Sequence, residues 1–262
     1  MSTIGKALTL LDVLSRLDCE AGLTEIAQAC GYDKATTRRF LVELEKHGFV
    51  EQLPETRKYR IGAAPLRLAR IREARYPFLS TALPFLRQLA ERTEETVHLS
   101  EFSNGRLSTI HVEESPHAHR VFVNVGTVLQ PHATASGLAF LAASPDEVIE
   151  AELTRPLAAY TEFTIVDPAI LRRRLSEARA RGFSISRQGR ELGVVSMSSA
   201  IAGPGARPIG CITVAAPLVR TGEDVVLDYG AAVRAAAEAI SAAFFGTDRQ
   251  IRPPNQSRRN GR

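Results

Sequence analysis

From Leu23 to Gly62 the chain reads "LTEIAQACGYDKATTRRFLVELEKHGFVEQLPETRKYRIG", and this stretch limits the fold more than any other. Two helical patterns meet across "GYD". The first, "TEIAQAC", turns Ile26, Ala27 and Cys30 inward and places Thr24 at its N-cap. Gly31 suits a helix C-terminus, where a left-handed residue is favoured, and Asp33 suits the N-cap of the next helix. "FVEQL" and "KYRIG" alternate apolar and polar residues around "PETR", which predicts a hairpin. An earlier helix, in "IGKALTLLDVLSRL", aligns Ala7, Leu10, Leu11 and Leu14 on one face. Three short helices and then a hairpin follow the order of a winged helix-turn-helix.

On a wheel of about 100° per residue, Thr37, Phe40, Leu41 and Leu44 of the third helix share one face, which must pack inward. Ala35, Arg39, Val42 and Lys46 lie opposite, and Thr36 and Arg38 flank that outer face. A guanidinium, short hydroxyls and small apolar groups near a helix N-terminus are the groups that read a major groove. Arginine matches guanine O6 and N7, threonine a phosphate, and alanine or valine a thymine methyl. Arg57, Lys58 and Arg60 on the hairpin would lie beside phosphates. The candidate DNA-contacting residues are therefore Thr24, Lys34, Ala35, Thr36, Thr37, Arg38, Arg39, Val42, Arg57, Lys58 and Arg60. Taken alone, "KATTRRF" also fits a plain solvated helix face. The capped turn before it and the basic hairpin after it favour DNA.

Charge placement agrees. The net charge is only +4, yet residues 1–77 hold 13 Lys/Arg against 10 Asp/Glu, residues 78–247 hold 15 against 18, and 248–262 hold 5 against 1. Basic ends around an acidic middle point to a polyanion at the ends and another task between them. No apolar run reaches the ~18 residues of a membrane span, and the N-terminus lacks a signal-peptide cleavage pattern. The three cysteines, Cys19, Cys30 and Cys211, are odd in number and not spaced as metal ligands. They read as reduced thiols of a cytoplasmic protein, Cys211 in a core strand.

Four segments follow: 1–62, the winged helix-turn-helix; 63–77, a basic linker helix in "AAPLRLARIREARYP"; 78–247; and a disordered basic tail, 248–262. In the third segment "FLSTALPFLRQLAERT" is a helix, and "TVHLSEFS" and "LSTIHVEE" are strands joined at Asn104-Gly105, the strongest hairpin signal in the chain. "HRVFVNV", "FSISR", "VSMSSAIAG" and "IGCITVAAP" read as further strands. "ASGLAFLAA", "PDEVIEAEL", "PAILRRRLSEARARG" and an Ala-rich run at about 222–245 read as helices. Hairpins mixed with helices predict an α+β domain and not a doubly wound sheet.

With these pieces in view, the chain resembles the IclR family of bacterial transcriptional regulators over about residues 4 to 245. The resemblance rests on the helix-turn-helix stretch, on "ETVHLSEFSNGRLSTIHVEE", on "VGTVLQPHATASGLAFLA", and on "YTEFTIVDPAILRRRLSEARARGFSIS" with "GRELGVVSMSSAIAGPGARPIGCITVAAP". It implies a GAF-like effector-binding domain, dimers often paired into tetramers, and operator binding switched by a small metabolite, commonly an organic or aromatic acid. It also implies an effector cavity at His132, Ala135, Ser136, Ser186, Ser196, Thr213 and Ala215. A helix starting near Thr134–Gly137 would turn N–H groups toward a bound carboxylate, with Ser196 and Thr213 adding hydroxyl donors. Two positions depart from the family pattern. "SISRQGRE" replaces an acidic run, putting Arg187 near the mouth, and Leu138 stands where a basic residue often follows the glycine.

Other chemistry finds less support. His111, His117, His119 and His132 have no Cys or Asp partner at metal spacing, so neither metal nor cofactor is expected. There is no G-x-S-x-G elbow, and Ser136 has no evident activated base, so no catalytic residue is assigned. A protein-interaction module that pairs through the first and linker helices is the non-enzymatic alternative to a DNA-binding regulator.

Overall fold

The computed structural model describes residues 2–17 and 19–246; the basic tail expected at 248–262 lies outside the described residues. The chain divides into two compact units, with the boundary between Pro77 and Phe78. In the first, Ser2 caps α1 (Thr3–Leu14) by accepting the Gly5 N–H at 3.1 Å. α2 (Leu23–Cys30) begins two residues earlier than a Thr24 N-cap implies, which places Thr24 inside the helix. Its N-cap is Gly22, in extended backbone and with no side-chain cap, whose N–H donates to Glu25 Oε2 at 2.7 Å. Gly31 ends α2 at φ +68°, a left-handed conformation that costs glycine little. Asp33 then opens α3 (Lys34–Lys46) by accepting from the Thr36 N–H at 2.7 Å. β1 (Val50–Gln52) and β2 (Tyr59–Ile61) pair antiparallel.

Leu10, Leu14, Ile26, Phe40, Leu41, Val50 and Tyr59 form one core beneath these elements. The helical periods of α1 to α3 and the period of two in the hairpin each supply one apolar face, and the faces close on one another. α4 (Ala64–Arg75) completes the unit with Pro65 in its first turn, and it leaves Leu66, Leu68 and Ile71 exposed.

The second unit is α+β. α5 (Phe78–Thr93) leads into β3 (Thr96–Ser103) and β4 (Arg106–Glu113). Asn104 and Gly105 both take positive φ, as a two-residue hairpin turn requires. α6 (Ala135–Ala143), α7 (Asp146–Leu153) and α8 (Pro168–Arg181) precede β5 (Ser184–Arg187), β6 (Val194–Ala202) and β7 (Pro208–Pro217), and α9 (Glu223–Phe245) ends the unit. The five strands form one antiparallel sheet in the order β4-β3-β7-β6-β5. Alternation sorts its two faces. Val97, Leu99, Val195, Met197, Ile212 and Val214 occupy one; α5 and α9 pack on the sheet. His98, Ser198, Cys211 and Thr213 occupy the other, where α6 lies.

The strand expected in "HRVFVNV" does not form. Both edges of β3 are already taken, by β4 and β7, and the free edge of β4 is met only around Thr109 and by a single bridge between Ser108 and Val128. The segment instead runs as an extended strap, held where Thr96 Oγ1 donates to the Val121 carbonyl at 2.7 Å.

Candidate functional site

Two arrangements of side chains have the form of binding sites, one in each unit. In the first unit, the outer side of α3 presents Lys34, Ala35, Arg38, Arg39 and Val42 to solvent, with Thr36 half-buried beside them. Asp33 fixes the start of this helix. Its carboxyl lies below the usual range because the Thr36 N–H bonds to the charged form. Thr24 is exposed on α2. Thr37 is not part of this surface. It is fully buried, and its hydroxyl donates to the Asp33 carbonyl at 2.9 Å, so it braces the helix start and offers nothing to a groove. On the hairpin Arg57 is exposed, with φ +58°, and Lys58 is half-buried. Arg60 is ion-paired across the two strands with Glu51, which partly offsets its charge.

The second unit holds a cavity of about 180 Å³ between the sheet, the start of α6 and the strap. Strand register assembles it from distant sequence. One cross-strand row runs Thr96, Ala215, Ser196, Ser186, and the next runs His98, Thr213, Ser198, Ser184. Of the expected residues, Ala135, Ser136, Ser186, Ser196, Thr213 and Ala215 all line the cavity. Val121, Phe122, Leu129 and Val194 add apolar wall, and Arg190 and Glu191 bring one charge of each sign.

α6 opens onto this space. Thr134 Oγ1 accepts the Gly137 N–H at 3.0 Å, and the Thr134 carbonyl accepts that of Leu138 at 2.9 Å. The N–H groups of Ala135 and Ser136 precede the first helical bond and stay available to an anion. Gly137 permits this geometry: a Cβ there would stand 2.3 Å from the Gln130 carbonyl oxygen.

His132 does not join the cavity. Its Nε2 donates to the Ala158 carbonyl at 2.9 Å and its Nδ1 lies 3.9 Å from the Glu152 carboxylate. These partners hold the ring toward a separate cavity of about 260 Å³, which Arg187 also lines while paired to Glu223 at 2.7 Å. The cation at the first cavity is instead Arg190, stacked on Tyr160 with its guanidinium carbon 4.3 Å from the ring centroid. Among the described residues no three His, Cys, Asp or Glu side chains gather where they could hold a metal ion, and no helix is long and apolar enough to cross a membrane.

His98, Ser198 and Arg190 were absent from the sequence-derived set. The period of two in "TVHLSEFS" sets His98 apart from Val97 and Leu99, and that is the signal that could have found it. Burial holds the His98 imidazole well below its ordinary value, at about 4. The same effect pushes the Cys211 thiol up to about 12, so it is an inert core group.

Comparison with known proteins agrees with this architecture. The model of the IclR helix-turn-helix domain matches residues 3–54, and that of the bacterial transcriptional regulator IclR C-terminal region matches residues 74–242. The transcriptional repressor IclR of Escherichia coli K12 is 30% identical over 249 residues, covering 94% of this chain and 91% of its own. A crystal structure assigned to the IclR transcriptional regulators, from Silicibacter sp. TM1040, is 39% identical with a TM-score of 0.76, covering 96% of this chain and all of the other. An IclR homologue from Microbacterium hydrocarbonoxydans, solved with 4-hydroxybenzoate, has the same fold at 23% identity and a TM-score of 0.80, covering 94% and 100%. With an N-terminal helix-turn-helix unit and a C-terminal α+β effector-binding domain that together match both family models, the chain belongs to the IclR family of bacterial transcriptional regulators.

Proposed function

We propose that this protein binds a specific DNA operator in the cytoplasm and that a small organic acid in the cavity of the second unit changes its affinity for that operator. The observation that carries the reading is the pairing, in one chain, of an exposed basic α3 with a partly apolar cavity at a helix start. In this reading Arg38 and Arg39 reach base edges, Ala35 and Val42 meet methyl groups, and Thr24, Lys34, Thr36, Arg57, Lys58 and Arg60 contact the phosphate backbone. The carboxylate lies against the Ala135 and Ser136 N–H groups, with Ser196 and Arg190 as side-chain donors. The aromatic carboxylate in the Microbacterium homologue supports an acid as ligand. Exposed Ile4 and Leu8 on α1 and Leu66, Leu68 and Ile71 on α4 support self-association as a dimer or tetramer, which a two-fold operator calls for.

The test is selection of a bound sequence from random duplex DNA with the full-length protein, then titration of that duplex with and without candidate acids. Enrichment of a two-fold sequence, and an acid that changes its affinity, is the expected result. By linkage, the duplex must change affinity for the acid by the same factor. A pool that stays unenriched would end the operator reading, and acids that bind without moving operator affinity would end the switch.

A further inference from the structure

Beside the first cavity lies the second, of about 260 Å³, lined from α8, β5, the start of α6 and the start of α9. Ser186 and Gly189 belong to the walls of both. Ser186 Oγ donates to the Ala133 carbonyl at 3.1 Å, and a Cβ on Gly189 would stand 2.7 Å from that same oxygen. The backbone is therefore tightly packed where the cavities adjoin, and the two spaces are distinct.

Charge in the second cavity is uneven. Arg174, Arg181 and Arg187 line it against a single carboxylate, that of Glu223. Arg187 takes up Glu223 at 2.7 Å, and Arg174 pairs with Glu177 at 3.1 Å. Arg181 is left over. Its side chain has neither an ion pair nor a hydrogen bond among the described residues. Nor is it spent on the end of its own helix, because Arg234 donates to the Arg181 carbonyl at 3.3 Å. Phe183 steadies it, with the guanidinium carbon 5.2 Å from the ring centroid. Arg181 Nε is buried and out of a ligand's reach, but the terminal nitrogens are not among the buried, unmatched atoms. Leu138, Phe163, Ile165, Ile185 and Leu227 supply apolar wall around it.

A steadied guanidinium without a partner, set among apolar side chains, suits an anion with an apolar body. The anion gains charge-assisted hydrogen bonds from a planar fork of donors, and the body leaves water. A neutral molecule of the same shape gains only the second of these.

We propose that the second cavity is a binding site in its own right, for a carboxylate with an apolar body held by the terminal nitrogens of Arg181. The site stands whatever the first cavity holds.

The test is a titration of full-length protein carrying labelled Ile, Leu and Val methyl groups. The probes are benzoate and hexanoate, with benzamide and hexanamide as their uncharged matches. Ile165, Ile185 and Leu227 report the second cavity, and Val121, Leu129 and Val194 report the first, so the shared wall is avoided. At least one acid should shift Ile165 and Ile185 saturably, and bind there about ten-fold or more tightly than its amide. Arg181→Gln should remove that preference while the responses of Val121 and Val194 stay as in wild type. Arg181→Lys, which keeps the charge and loses the fork, should retain part of it. Should the glutamine variant fail to fold, the ratio of acid to amide in wild type decides alone. Acids that shift only Val121 and Val194, amides that bind as tightly as the acids, or a folded Arg181→Gln protein that keeps the preference would each overturn the site.

Discussion

The two candidate sites are built in opposite ways. The N-terminal surface draws its residues from Thr24 to Arg60, on one helix pair and one hairpin, and most of them stand in solvent. The cavity draws on residues from His98 to Ala215, on four strands, a helix start and a strap, and His98, Ser136 and Thr213 among them are buried and bonded in a line. A surface that meets a polyanion needs charge that is free to move and not spent within the protein. A cavity that discriminates among small molecules needs donors and acceptors fixed in advance. So the first site can lose a side chain and keep its shape, whereas the second cannot lose a member without leaving another member unmatched.

The largest expected effect comes from taking away what supports the open surface. Leu41 is fully buried in the first core, beneath the exposed side of α3. Leu41→Ala removes that packing and leaves a cavity, at a cost of about 2–5 kcal/mol. Amides of α2 and α3 should lose hydrogen-exchange protection, and operator binding should weaken with them. Unchanged protection would mean that the surface does not depend on this core.

Next comes acid. Unfolded, His98 titrates near its ordinary value of 6.5, and folded it titrates at about 4. Between those two values the unfolded chain binds more protons, so stability rises with pH and is lost as pH falls from about 6.5 toward 4. The full loss from this group is on the order of 3 kcal/mol. Asp33, on the open side, has its carboxyl lowered and not its base suppressed. Its contribution is present above the ordinary carboxylate range and fades only at lower pH. Denaturant midpoints of wild type and His98→Phe across pH 7 to 4.5 should therefore differ by an amount that shifts steadily against wild type as acid is added. Parallel curves would mean that His98 is solvated.

The same contrast explains how much was legible in the sequence. Helix periodicity marks the outward residues of α3 without knowledge of any neighbour, so Arg38, Arg39 and Val42 stand where a wheel places them. α5 and β3 occupy the segments read from pattern alone, and the α+β class of the second unit follows from such elements. The errors have local or long-range causes. Thr24 lost the cap to Gly22 because Glu25 reached back, a choice between two adequate caps. "HRVFVNV" has the alternation of a strand, but alternation cannot say whether a sheet edge is free to receive it. Thr37 was placed on the inner face and also among DNA contacts, and burial decides between the two. His132 and Ser136 lie one helical turn apart in sequence, yet they serve different cavities. His98 escaped notice because its importance comes from register with Thr213 and Ser198, and no local pattern carries register.

The smallest effect, and the one that most sharpens the contrast, is Arg39→Ala. Arg39 is exposed, and its guanidinium carbon stands 5.5 Å from the Phe40 ring centroid. That contact is weak at an exposed site, so the alanine variant should fold as wild type does. If Arg39 reads a base, its loss should cost about 1–3 kcal/mol at the selected sequence and relax preference at one position. Binding to unrelated duplex should change little, and the dependence of affinity on salt should stay close to wild type. Lys58→Ala on the hairpin gives the contrasting result for a phosphate contact: weaker binding to every sequence, and a salt dependence reduced by about one counterion. The ratio of specific to non-specific affinity, measured for both variants over a range of salt, separates the two roles. Should Arg39→Ala instead weaken all duplexes equally and flatten the salt dependence, Arg39 is a backbone contact, and base reading by α3 would rest on Arg38 alone among its arginines.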